Sequence, residues 1–220
     1  MNKYILILLT ICIASCKNND NEAKTTEATN VETKASDTTG TENFLISRET
    51  SVVKWLATKI SGSTHYGSVA MPYGRIMMRD GKITFGEFKL DMNDIKVVDI
   101  EDKADNEDLV NHLKNEDFFD THKFPTGQFT VANISDIKND SAVVTGNLVM
   151  KDKVNQIEFP AYLKVSPSDI SIHAAFSIDR TKWGINYHSG ATWKDKMIKD
   201  NIDLEFDIKL TRVPNETAPH

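Results

Sequence analysis

Between Ile170 and Ile178 the chain alternates: Ile170, Ile172, Ala174, Phe176 and Ile178 are separated by Ser171, His173, Ala175 and Ser177. The same rhythm returns near the C-terminus, where Ile202, Leu204, Phe206, Ile208 and Leu210 are separated by Asp203, Glu205, Asp207 and Lys209. Period two with one polar face is the pattern of an antiparallel strand buried on one side. A strand of this kind must cover its apolar face, so the chain has to fold as a sandwich or a closed barrel. Two further alternating stretches, 142–150 and 157–165, extend the requirement.

Turn residues divide the chain into about eight strands, at roughly 51–60, 67–78, 82–92, 127–137, 141–151, 154–165, 169–178 and 199–211. Asp80-Gly81 suits a tight hairpin. Alternation slips between Ile83/Phe85 and Phe88/Leu90, which predicts a bulge or bend at Gly86. One segment breaks the β pattern: from Asp105 to Asp117, Leu109, Val110 and Leu113 fall at helical spacing and predict one short helix across an opening of the sheet.

The N-terminus reads differently. Lys3 precedes an apolar run from Tyr4 to Ile13, too short to span a bilayer and suited to a signal peptide over 1–15. Ile13-Ala14-Ser15-Cys16 resembles a bacterial lipobox, which makes Cys16 the candidate for acylation; an ordinary signal peptide containing Cys16 is the alternative. The chain's two cysteines, Cys12 and Cys16, both lie here, so the body carries no disulfide, thiol nucleophile or cysteine-based metal site. Residues 17–43 hold no aromatic residue and one large aliphatic, Val31, and are expected to form a disordered tether after Cys16. A single domain over 44–213 and a short tail over 214–220 complete the chain. Net charge is −6, with no basic stripe for nucleic acid.

Three blocks gain meaning once the strands are placed. Residues 113–125 read LKNEDFFDTHKFP, residues 144–152 read VTGNLVMKD, and residues 176–185 read FSIDRTKWGI. In order and spacing they resemble the YceI family of small exported proteins. The resemblance implies an eight-stranded antiparallel lipocalin-like β-barrel, elongated around an apolar tunnel that holds an isoprenoid or other long-chain lipid, without catalysis or metal. Two positions depart from the family pattern: Leu109-Val110 stands where many members have an Arg-Asp pair, and Asp152 stands where a glycine is usual.

The inward rows are aliphatic and aromatic, and they supply the candidate ligand-binding residues Phe129, Val131, Leu148, Met150, Ile157, Phe159, Phe176 and Ile178, with Trp183 and Arg180 at the mouth. The same residues also suit a dry, filled core. Arg180 has two readings as well, a contact to a lipid phosphate or an Asp179/Arg180 pair that fixes a loop. Glu116, Asp117, Asp120, His112 and His122 lack the His-x-x-x-His spacing of a zinc helix. They are read as structure, with His112/Glu116 a surface pair, Phe118 and Phe119 a plug, and no catalytic or metal role. The expected partners are a quinone, polyisoprenoid or similar amphiphile, the membrane through the anchor, and a second barrel through an exposed strand. Lys17, a non-acidic residue after the anchor cysteine, points to the outer membrane of a bacterial envelope.

Overall fold

The computed structural model describes residues 22–28, 40–190 and 198–214; the signal segment, Cys16, Trp193 and residues 215–220 lie outside them. In chain order the strands are β1 (Lys24–Glu27), β2 (Glu42–Ile46), β3 (Val52–Thr58), β4 (Thr64–Arg79), β5 (Lys82–Val97), β6 (Thr126–Ile134), β7 (Ser141–Met150), β8 (Lys153–Val165), β9 (Asp169–Asp179) and β10 (Asn201–Val213). One helix, α1 (Lys103–Lys114), sits between β5 and β6, and a 3-10 turn, Arg180–Trp183, follows β9.

The two alternating stretches of the sequence become neighbours. Strands β9 and β10 pair antiparallel along their length, from Asn201 opposite Asp179 to Thr211 opposite Asp169. From there the wall runs β9, β8, β7, β6, β5, β4 and back to β10 through a position shared by β2 and β3. The result is an eight-stranded antiparallel closed barrel with one helix, the fold class read from the sequence. Strands β2 and β3 each pair with both β4 and β10, Phe44 lying opposite Ile76 and Trp55 opposite Gly67. They are two halves of one wall strand, broken at the polar run Ser47–Ser51. Side-chain bonding covers the break, since Ser51 Oγ accepts from the Lys209 N–H at 3.0 Å and lies 3.2 Å from the Lys209 carbonyl. The expected strand at 51–60 covers only the second half of this wall strand; β2, whose Phe44 is fully buried, lies ahead of it.

Several boundaries need correction. Strand β5 runs on to Val97, beyond the expected 92, because Ile95 and Val97 bury their side chains under α1. The helix begins earlier and ends earlier than 105–117. Asp102 caps it by accepting from the Ala104 and Asp105 N–H groups, and Asn115 closes it, its Oδ1 accepting from the Asp117 N–H at 2.9 Å. The expected irregularity in β5 falls at Thr84: Met77 lies opposite Phe85 and Met78 opposite Ile83, which leaves Thr84 as the extra residue. Gly86 is in register, and its role is close packing, since a Cβ there would come within 2.6 Å of Val131. Asp80 and Gly81 both have positive φ, 51° and 73°, as the Asp-Gly hairpin requires.

The largest difference lies in the stretch read as a tether. Residues 24–27 form β1, which pairs antiparallel with β8 from Lys24 opposite Glu158 to Glu27 opposite Asn155. Their composition could not predict this, because Lys-Thr-Thr-Glu brings almost no apolar surface. The ordering comes from backbone groups on β8 that would otherwise lack partners.

Candidate functional site: a two-chamber apolar interior

Side chains from every wall strand point inward without filling the barrel. Two chambers remain. The distal chamber, of about 60 Å³, is walled by Phe129, Val131, Ile157, Phe159, Phe176 and neighbours. The helix-side chamber, of about 140 Å³, lies beneath α1 and is walled by residues that include Trp55, Met92, Leu113, Phe119, Met150 and Ile178. Apolar cavities near 150 Å³ stay dry and accept a small aromatic molecule. Three residues, Leu90, Leu148 and Phe206, line both chambers and form the waist between them. On the distal side Phe159 and Phe176 stack with centroids 4.0 Å apart, and Phe206 of the waist lies 5.5 Å from Phe176.

The structure therefore distributes the sequence candidates. Phe129, Val131, Leu148, Ile157, Phe159 and Phe176 face the distal chamber; Leu148, Met150, Ile178 and Arg180 face the helix-side one. Trp183 lines neither. It is fully buried, and its Nε1–H donates to the Leu148 carbonyl at 3.0 Å, so it fastens the 3-10 turn to β7. Sequence reading missed the opposite wall, above all Leu90, Phe206 and Trp55. Phe206 stood in a recognised alternating row, while Leu90 sits on β5, whose inward phase is interrupted by bulges, and Trp55 on the short strand β3. At Gly67 the absence of a Cβ admits the Trp55 ring, which would lie 2.8 Å from one.

The helix-side chamber has a few polar elements. Arg180 is buried, its Nε and terminal nitrogens donating to the carbonyls of Lys199 (3.2 Å), Ile185 (2.6 Å) and Ile198 (3.2 Å). Asp200 stands 3.6 Å away as its ion partner. Burial pulls the guanidinium pKa below its ordinary value, against the opposing charges of Asp200 and Asp179. Asp179 spends its main contacts elsewhere, accepting from the Thr181 N–H at 2.9 Å and hydroxyl at 2.6 Å to cap the turn. His65, also on the chamber wall, is 2.8 Å from Asp99, which accepts from the Tyr66 N–H at 2.9 Å as well. The buried Trp55 indole N–H has no hydrogen-bond partner among the described residues.

Burial would raise the Asp99 pKa, but the bonds from the Tyr66 backbone and His65 outweigh it and hold the carboxyl below its ordinary value. A folded-state pKa below the unfolded one makes a stability contribution that is complete above about pH 4 and is lost as pH falls through the folded value. Asp99→Asn should therefore lower the urea midpoint at pH 7 and flatten its fall between about pH 5 and pH 3. Equal pH slopes in the two proteins would show that Asp99 makes no such contribution.

The acidic-aromatic stretch at 114–129 assembles a cover. Phe118 is buried, with ring centroids 5.0 Å from both His112 and Tyr187. His112 pairs with Asp117 at 3.4 Å, in place of the expected Glu116, because the helix stops before Glu116. Asp120 pairs with Lys123 at 3.0 Å. Among the described residues, the one grouping with metal-ligand geometry is elsewhere, His173, Glu205 and Asp207 on the outer wall. There Lys54 already supplies a cation, 2.8 Å from Glu205 and 3.4 Å from Asp207.

The family model described as a YceI-like domain matches residues 44–210. The chain belongs to the YceI-like family. Family members are non-catalytic ligand-binding proteins. Among solved structures, BcnA of Burkholderia cenocepacia superposes with a TM-score of 0.59 at 18% identity, over 74% of this chain and 98% of that one. A polyisoprenoid binding domain from Saccharophagus degradans gives 0.58 at 10% identity, over 77% and 98%. Both are likenesses of fold. No curated protein matches the YceI-like chain.

Proposed function

We propose that this protein binds a polyisoprenoid, quinone or similar long-chain amphiphile inside the barrel and carries or sequesters it at the bacterial envelope. The observation that carries the reading is a closed barrel with two apolar chambers that share three lining side chains at a waist. Each isoprene unit buried there would contribute roughly 3–4 kcal/mol gross, at about 0.8 kcal/mol per carbon. Two or three units exceed the loss of ligand freedom without any specific polar contact. The unpartnered Trp55 indole N–H offers one donor to an oxygen on the ligand's head. The Saccharophagus degradans domain, named for polyisoprenoid binding, supports the ligand class by analogy of fold.

Cys16 is proposed as the acylated anchor, with the outer membrane as the membrane concerned. Loss of palmitate labelling in Cys16→Ser would test the anchor independently of the ligand. A second reading has its own observation. The chambers together fall short of the roughly 300 Å³ at which small-molecule pockets begin. A filled-core interaction module, with the acidic surface as its working face, fits that size.

Extraction of protein 17–220 with organic solvent, purified without detergent, separates the two. A stoichiometric isoprenoid in the mass spectrum is the expected result. An empty barrel that also refuses added quinone would favour the interaction module.

A further inference from the structure

The wall is incomplete without a segment from outside the family domain. Strands β8 and β9 pair directly only where Tyr162–Val165 faces Ile170–His173, and then diverge. Strand β1 lies along β8 in the gap that opens, and the two residues ahead of it reach β9. It is antiparallel to β8, and on its other side Glu22 bridges Ser177 in parallel, with the Ala23 N–H donating to the Ser177 carbonyl at 2.9 Å. Ala23 is 4% exposed and belongs to the core cluster that contains Ile157, Phe176 and Ile178. Those three line the chambers, Ile157 and Phe176 the distal one and Ile178 the helix-side one. One short strand therefore stands between solvent and both sides of the waist.

Little side-chain contact holds it. Lys24, Thr26 and Glu27 are exposed, and the ion pair of Lys24 with Glu158, at 2.7 Å, has its lysine 80% exposed. Edge strands without an apolar row are the elements of a sheet that open first.

We propose that β1 is a displaceable wall strand, and that the seam between β8 and β9 is the lateral entry for the lipid. The inference rests on the carrier reading and adds the route and the gate. It also gives the anchor a second consequence. Cys16 is six residues from Glu22, a span of at most roughly 20 Å. A lipid on Cys16 would hold the seam beside the bilayer from which the ligand comes.

The test is a reversible lock. In protein with Cys12 and Cys16 changed to Ser, the opposed pair is replaced as Lys24→Cys and Glu158→Cys, and oxidised after folding. Retinol, a fluorescent isoprenoid, is supplied in phosphatidylcholine vesicles. Oxidation should slow its uptake at least tenfold relative to the same protein after reduction, with the final amount bound unchanged. Equal rates would overturn lateral entry at this seam. Backbone amide exchange without ligand is the second readout: β1 should exchange at least a hundredfold faster than Gly146–Leu148 of β7, and equal protection would overturn the displaceable strand. Should retinol enter neither form, the carrier reading fails, and exchange alone decides whether β1 opens.

Discussion

Phe206→Trp should weaken binding of a twenty-carbon isoprenol by a hundredfold or more while leaving a ten-carbon isoprenol within about threefold of the parent. Phe206 shares the waist with Leu90 and Leu148, so a larger ring there divides the interior. A ligand confined to one chamber loses the burial of at least one isoprene unit, roughly 3–4 kcal/mol. Since about 1.4 kcal/mol is tenfold in affinity, the expected ratio exceeds a hundred. Overpacking should cost about 1–3 kcal/mol of stability, measurable separately by urea denaturation. Phe206→Ala supplies the opposite arm, widening the waist and raising the preference for the longer chain. Unchanged affinity for both alcohols in both variants would remove the waist from the ligand's path.

Arg180→Met should reduce folding stability by about 1–3 kcal/mol, the cost of leaving a buried acceptor without its donor, since the ion partner Asp200 is 46% exposed. The loss comes from the carbonyls of Lys199, Ile185 and Ile198, which would lose their shared donor, and chiefly from that of Ile185, whose bond is buried. Arg180→Lys should recover little, because an ammonium lacks the planar fork that reaches three acceptors at once. Affinity for a phosphate-free isoprenol, measured on the folded fraction, should stay within a few-fold. An Arg180→Met protein of parental stability that had lost binding of isoprenyl phosphate would instead make Arg180 a head-group ligand.

The barrel was legible because its later strands carry unbroken alternation. Ile170 to Ile178 and Ile202 to Leu210 pair in the structure as their pattern required. Strands β4 and β5 were less readable. Their inward phase changes at bulges near Pro72 and at Thr84, so a count of every second residue crosses from one face to the other. The candidate site was half legible: the β6–β9 wall supplied the candidates, and the facing Leu90, on bulged β5, and Trp55, on the short strand β3, were not among them. Arg180 showed a different limit. Its partners are backbone carbonyls, which every residue has, so no spacing of side chains announces them. The acids near His112 were conspicuous in the sequence because they were close together, yet they pair within a cover over the barrel end.

The position of β1 bears on where this protein can be cut. The family match begins at residue 44, and a fragment started there would lack residues 22–27. Asn155–Glu158 of β8 would then present a row of free N–H and C=O groups beside a hydrophobic interior. Such an edge recruits strands from other molecules. Self-association of the truncated domain would then reflect a missing piece of its own wall, and the boundary of inherited sequence would fall inside the boundary of the folding unit.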